Sequence, residues 1–116
     1  MSTSGDALSN AIVDSTLTVQ VVYDGGVTRL LASGEIDASS AHTFEAAATQ
    51  ALAEQPACIE IDLGEVGFID SSGLRSIITL SNRARERRVE VAVTGMSPSA
   101  RRVLEITGLI ETLRRS

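Results

Sequence analysis

Ile59-Glu60-Ile61-Asp62-Leu63, then Gly64–Asp70, then Ser71-Ser72-Gly73-Leu74: this order of residues decides how the chain is built. The first five alternate apolar with acidic side chains, the period of a strand with one face buried. Beyond Gly73, Leu74, Ile77, Ile78, Ser81 and Ala84 fall at spacings that share one helix face. A strand, a short connection over Gly64–Asp70 and a helix are the first half of a crossover unit. Downstream, Val89–Thr94 supplies the next strand. Ser97-Pro98 then reads as a helix start, because Ser accepts an orphan amide and Pro suits the first turn. Ala100, Val103, Leu104 and Thr107 make that helix's inner face, Gly108 sits where a C-terminal cap belongs, and Ile110–Leu113 reads as a last short strand.

Upstream, Ala41, Phe44, Ala48, Ala51 and Leu52 line a helix that Pro56 stops and that Asp37 or Ser39 is placed to cap. Leu17–Tyr23 and Val27–Ala32 flank Asp24-Gly25-Gly26, a hairpin signal. The expected order is β-β-α-β-α-β-α-β. Helices too short to pack alone, alternating with strands, imply a single α/β domain with a mixed, mostly parallel sheet. The N-terminal hairpin adds antiparallel pairing, and the helices are expected to pack on one face. Residues 1–15 are small and polar and read as a flexible tail, leaving 16–116 as the domain.

Composition narrows the function. The 116 residues include one Cys, one His and no Trp, which excludes a disulfide framework, a cysteine-rich zinc site and a two-histidine metal centre. Aromatic residues are only 3%, too few for base-stacking platforms, and the net charge of −5 disfavours nucleic acid and anionic membranes as partners. The charge is segregated: residues 1–70 carry eleven acids against Arg29, and residues 71–116 carry nine Arg against four acids. No apolar run approaches the ~20 residues of a membrane span, and the N-terminus lacks a signal-peptide pattern. A cytoplasmic protein without membrane insertion is the expectation.

Chemistry concentrates in Val66–Leu74. In open α/β sheets, sites collect at the carboxyl ends of strands. A helix start there presents unpaired amides and partial positive charge, suited to an added phosphate. A hydroxyl at Ser71 would serve both as N-cap and as an exposed phosphoryl acceptor, with Asp70 orienting it or facing a partner; the same Asp-Ser-Gly run also reads as an ordinary helix start, and the Ser71-Ser72 pair leaves open which serine is modified. Elsewhere the residues read as structural: His42 as solvent-facing, Cys58 as a small buried hydrophobe, and Arg83, Arg85, Arg87 and Arg88 as a solvated helix end. A hydrolase built on Ser71, His42 and an Asp lacks the G-x-S-x-G elbow, since the chain reads Ile69-Asp70-Ser71-Ser72-Gly73.

Phe68-Ile69-Asp70-Ser71-Ser72-Gly73-Leu74 resembles the signature loop of STAS domains, in particular those of the bacterial anti-anti-sigma factors (anti-sigma factor antagonists). Gly34-Glu35-Ile36-Asp37 is similar to that family's turn after its second strand, and Ser97-Pro98 through Thr107-Gly108-Leu109 to its last helix. The resemblance implies partner switching. The unmodified antagonist binds an anti-sigma factor that is also a serine kinase and so frees the sigma factor; phosphorylation of the serine after the loop aspartate, here Ser71, ends binding; a serine phosphatase resets the cycle. It implies a non-enzymatic protein with no cofactor, and a docking surface of Asp37, Asp70, Ser71, Ser72 and Gly73. Arg75 departs from the family pattern, which often carries a second glycine there; one turn into the helix, it joins the expected docking surface as a residue placed to contact the partner or the phosphate, with a water-facing side chain as the alternative. A STAS scaffold subunit in a lipid-transport or stress-sensing complex is the alternative; its test is whether Ser71 is ever modified.

Overall fold

The computed structural model describes residues 8–108. Its elements are β1 (Leu8–Val13), β2 (Leu17–Asp24), β3 (Val27–Ile36), α1 (Ala41–Ala53), β4 (Cys58–Ile69), α2 (Ser71–Glu86), β5 (Glu90–Met96) and α3 (Pro98–Thr107). The five strands form one sheet in the order β1-β2-β3-β4-β5. β1, β2 and β3 pair antiparallel, while β3, β4 and β5 run parallel, so α1 and α2 are the crossovers. The two-residue turn Gly25-Gly26 closes the β2–β3 hairpin, setting Asp24 opposite Val27.

Period-two patterning lays down the core. Leu17, Val19 and Val21 of β2, Leu30 and Ala32 of β3, and Ile59, Ile61 and Leu63 of β4 are buried together with Phe44, Leu52, Ile77, Leu80 and Leu104 from the helices. Burying a Val, Leu, Ile or Phe side chain stabilises by about 1.5–3 kcal/mol, so this single cluster carries the fold. The alternate strand residues Thr18, Gln20, Arg29, Leu31 and Glu60 stay half-buried or exposed on the other face. There Arg29 pairs with Glu60, its register neighbour, at 3.1 Å.

Four expectations need correction. The tail expected through residue 15 is interrupted, because Leu8–Val13 forms β1 on the edge of β2 and Asn10 donates to Gln50 of α1 at 2.7 Å. The Gly64–Asp70 connection is mostly strand: β4 runs on to Ile69, alongside Ser33–Ile36. It does so through two register shifts against β3, between Leu31 and Ser33 and between Gly34 and Glu35, each placing an extra residue in β4. Such irregularities break alternation, and interior strand glycines such as Gly64 and Gly67 mark them. On α2 the inner face uses Leu80 rather than Ile78, which is 37% exposed. Ser40, rather than Asp37 or Ser39, occupies the N-cap position of α1 and makes no side-chain cap bond, while Asp37 Oδ1 takes the Ser39 and Ser40 amides just before it. The expected strand Ile110–Leu113 lies outside the described residues.

The shifted register of β4 seats α3. Ser97 N–H donates to the Leu63 carbonyl at 3.0 Å and its hydroxyl to the Val66 carbonyl, while the same oxygen accepts from Ala100 N–H at 3.1 Å. One residue thus satisfies carbonyls in the irregular part of the strand and caps the helix that follows. Gly108, in the left-handed region, ends α3 where the sequence placed its cap. Gly34 fills a tighter spot: its φ is +120°, and a Cβ there would stand 2.1 Å from the Thr16 carbonyl oxygen.

Candidate functional site

Parallel pairing brings the ends of β3 and β4 together. Ile36 and Ile69 are register partners, so the residues after them, Asp37 and Asp70, leave neighbouring strands at the same carboxyl edge. The Asp70 N–H donates to the Ile36 carbonyl at 3.2 Å, locking the two exits.

Asp70, not Ser71, is the N-cap of α2. Its backbone is extended, and its Oδ1 accepts from the amides of Ser72 at 2.9 Å and Gly73 at 3.1 Å. Ser71 is therefore the first helical residue, exposed, whereas Ser72 is half-buried. Gly73 is required by packing: a Cβ would lie 2.5 Å from the Ile36 carbonyl oxygen and 2.8 Å from Ile69 Cγ1. The first turn of α2 thus rests directly on the end of β3.

Asp37 is pinned in its own turn. Oδ1 accepts from Ser39 Oγ at 2.8 Å and from the amides of Ser39 and Ser40 at 3.0 and 3.1 Å. The Ser39 hydroxyl above all, with Ser40 and both amides, holds the Asp37 carboxyl below its ordinary range. Ser40 Oγ donates to the Glu35 carbonyl at 2.7 Å and accepts from Asp37 N–H at 2.9 Å, so the buried hydroxyl is satisfied.

Ser71 borders an open groove of about 350 Å³ lined by Leu74, Arg75, Ile78 and Thr107. A neighbouring groove is lined by Phe68, Ile69, Pro98, Ser99, Arg102 and Val103, with Phe68 48% exposed. Sequence reasoning brought together Asp37, Asp70, Ser71, Ser72 and Gly73, and the fold does too. Arg75, also expected at the docking surface, shares the groove with Ser71. The same reasoning missed Phe68 and Ile78, the exposed apolar residues beside these polar groups. Ile78 was within reach, because Ser71, Arg75 and Ile78 stand at i, i+4 and i+7 on one helix face. Thr107 was not, since only tertiary packing carries it across from α3. His42 is exposed, and Cys58 is buried.

These features define a small mixed α/β domain presenting a capped helix start, an exposed serine and a few apolar side chains at one edge of its sheet. The STAS domain model matches residues 18–115, and the chain belongs to that family. It is 32% identical over 85% of its length to the anti-sigma-F factor antagonist RsfB of Mycobacterium tuberculosis, covering 80% of that protein. It is also 32% identical over 72% of its length to the anti-sigma-B factor antagonist of Listeria monocytogenes, covering 74% of it. The crystal structure of an anti-sigma factor antagonist from Mycobacterium paratuberculosis superposes with a TM-score of 0.70 at 26% identity, over 97% of this chain and 87% of that one. No described helix is long and apolar enough to cross a membrane.

Proposed function

We propose that this chain is an anti-sigma factor antagonist switched by phosphorylation of Ser71. Unmodified, it docks through the sheet edge and the grooves beside it onto an anti-sigma factor that is also a serine kinase, and so frees the sigma factor. The kinase transfers the terminal phosphoryl group of a nucleoside triphosphate to Ser71 Oγ. A new O–P bond forms, the bond to the departing diphosphate breaks, and the hydroxyl proton is released. The modified chain lets go, and a serine phosphatase restores it by hydrolysis. The chain itself catalyses nothing, needs no cofactor and works in the cytoplasm.

The observation that carries this reading is the contrast between Ser71 and its neighbours. Asp70 spends its carboxylate on the first helical amides, and Ser72 is half-buried, so Ser71 alone of the three offers an exposed hydroxyl. The adjacent Asp37, Asp70, Ser72, Gly73 and Arg75 supply the rest of the docking surface. A phosphate placed there adds ~1.5–2 negative charges to an edge that already holds two carboxylates. Peptide mass spectrometry of the protein from its own host, in growth and under stress, tests the proposal. A phosphoryl group on Ser71 with condition-dependent occupancy is the expected result. An unmodified Ser71 in every condition would sink it.

A further inference from the structure

We infer that Arg75 receives the phosphate on Ser71: free for an acidic partner surface in the unmodified chain, it closes onto the phosphoryl oxygens once Ser71 is modified. The inference rests on Ser71 being the modified residue. Ser71 and Arg75 stand at i and i+4 on α2, the spacing at which helical side chains meet, and both line the same groove. The other residues of that groove, Leu74, Ile78 and Thr107, carry no charge. Arg75 takes no part in the ion pairs that join Arg29 to Asp24 and Glu60, and Arg101 to Glu105.

The competing ways of holding the phosphate are weaker. A helix start ordinarily offers its free amides to an anion. Here Asp70 Oδ1 already takes those of Ser72 and Gly73. Asp70 and Asp37 also repel a second anion from the strand edge, turning the phosphate toward the outer face of α2, where Arg75 lies. Arg102 of α3 lines the neighbouring groove with Phe68 and Ile69 instead. A guanidinium matches phosphate oxygens with parallel N–H donors, so closure costs little beyond ordering one exposed side chain. Modification then acts twice: it adds negative charge to the docking edge and withdraws a cation from it.

The test needs no kinase and no partner. Phosphoserine is introduced at position 71 of the full chain during translation, in the wild-type background and in Arg75→Gln, Arg75→Lys and Arg102→Gln. The phosphate's second ionisation is followed by ³¹P NMR. An i,i+4 ion pair of ordinary strength moves the Arg75→Gln midpoint up by about 0.3 pH unit at low salt. The difference should shrink in 1 M salt, where screening acts over ~3 Å. Arg75→Lys should fall between wild type and Arg75→Gln, and Arg102→Gln should match wild type. Equal midpoints in wild type and Arg75→Gln, or a shift on Arg102→Gln in their place, would overturn the inference. Because translation installs the phosphate, either result stands apart from whether the host modifies Ser71.

Discussion

The Asp70 amide and the Ile36 carbonyl share a hydrogen bond of 3.2 Å, and through it the two acidic turns of the site become one structure. Neighbouring strands lie ~4.8 Å apart, so Asp37 and Asp70 emerge side by side. Each carboxylate is tied to local donors, Asp37 to Ser39 and Ser40 and Asp70 to Ser72 and Gly73. Charge at this edge is therefore held in place, and a partner docking as proposed would meet it in a fixed arrangement.

That closeness makes Gly73 the most sensitive position of the loop. A methyl group there meets the Ile36 backbone and Ile69 at once, and neither is a flexible chain end. Gly73→Ala should destabilise by about 2 kcal/mol, within the usual cost of overpacking. Its melting temperature should fall on the order of 10 °C. Thermal unfolding followed by circular dichroism measures this; an unchanged melting temperature would mean that α2 sits further from β3 than described.

Asp70 combines a structural and an electrostatic task, and two substitutions separate them. Asp70→Ala removes the cap and should cost about 1 kcal/mol, whereas Asp70→Asn keeps a good cap and should recover most of that loss. If Asp70→Asn nonetheless changes affinity for the anti-sigma partner, the charge itself takes part in docking. Denaturant unfolding alongside calorimetric titration reads both quantities on the same samples.

The hairpin, the α3 start at Ser97-Pro98 and its end at Gly108 were legible because each rests on local chemistry: a two-residue glycine turn, a hydroxyl cap, a left-handed cap. β1 was hidden because Ser9 and Asn10 interrupt its apolar pattern, and its strand character comes from pairing with β2. The second half of β4 was hidden because shifts of register beside Gly64 and Gly67 destroy the alternation that marks a strand. At the site, residue types and order pointed to Asp70 and Ser71, but which of them caps α2 depends on backbone angles. The groove beside Ser71 was out of reach, since Thr107 joins it only after α3 folds back over the sheet.

Acid should loosen the N-terminal part of the sheet. Asp14, in the β1–β2 turn, accepts from the Thr16 and Leu17 amides at 2.8 and 2.9 Å and from the Thr43 hydroxyl of α1. The Thr43 bond first, then those amides, lower its carboxyl from 3.8 to about 2. The folded chain thus holds the Asp14 proton less readily than the unfolded chain. This contribution is complete above pH 3.8 and is lost as pH falls toward 2. Melting temperature measured from pH 5 to 2 should drop more steeply for wild type than for Asp14→Asn. Parallel curves would show that the turn adds no acid sensitivity.

Substitutions at Ser71 separate the switch from the scaffold. Ser71 is exposed and at the first position of α2, so neither Ser71→Ala nor Ser71→Asp should shift unfolding free energy by more than ~0.5 kcal/mol. Their effects on docking should diverge. Ser71→Ala leaves position 71 uncharged and should bind the proposed anti-sigma partner as wild type does, while resisting the proposed kinase. Ser71→Asp places a third carboxylate beside Asp37 and Asp70. A loss of ~3–4 kcal/mol in binding, a several-hundred-fold weaker complex, is the scale expected when like charges meet in a desolvated contact. Surface plasmon resonance with the immobilised partner reads the ratio directly. Equal affinity for both variants would mean that this edge of the sheet does not face the partner at all, and the docking surface would have to be sought elsewhere on the fold.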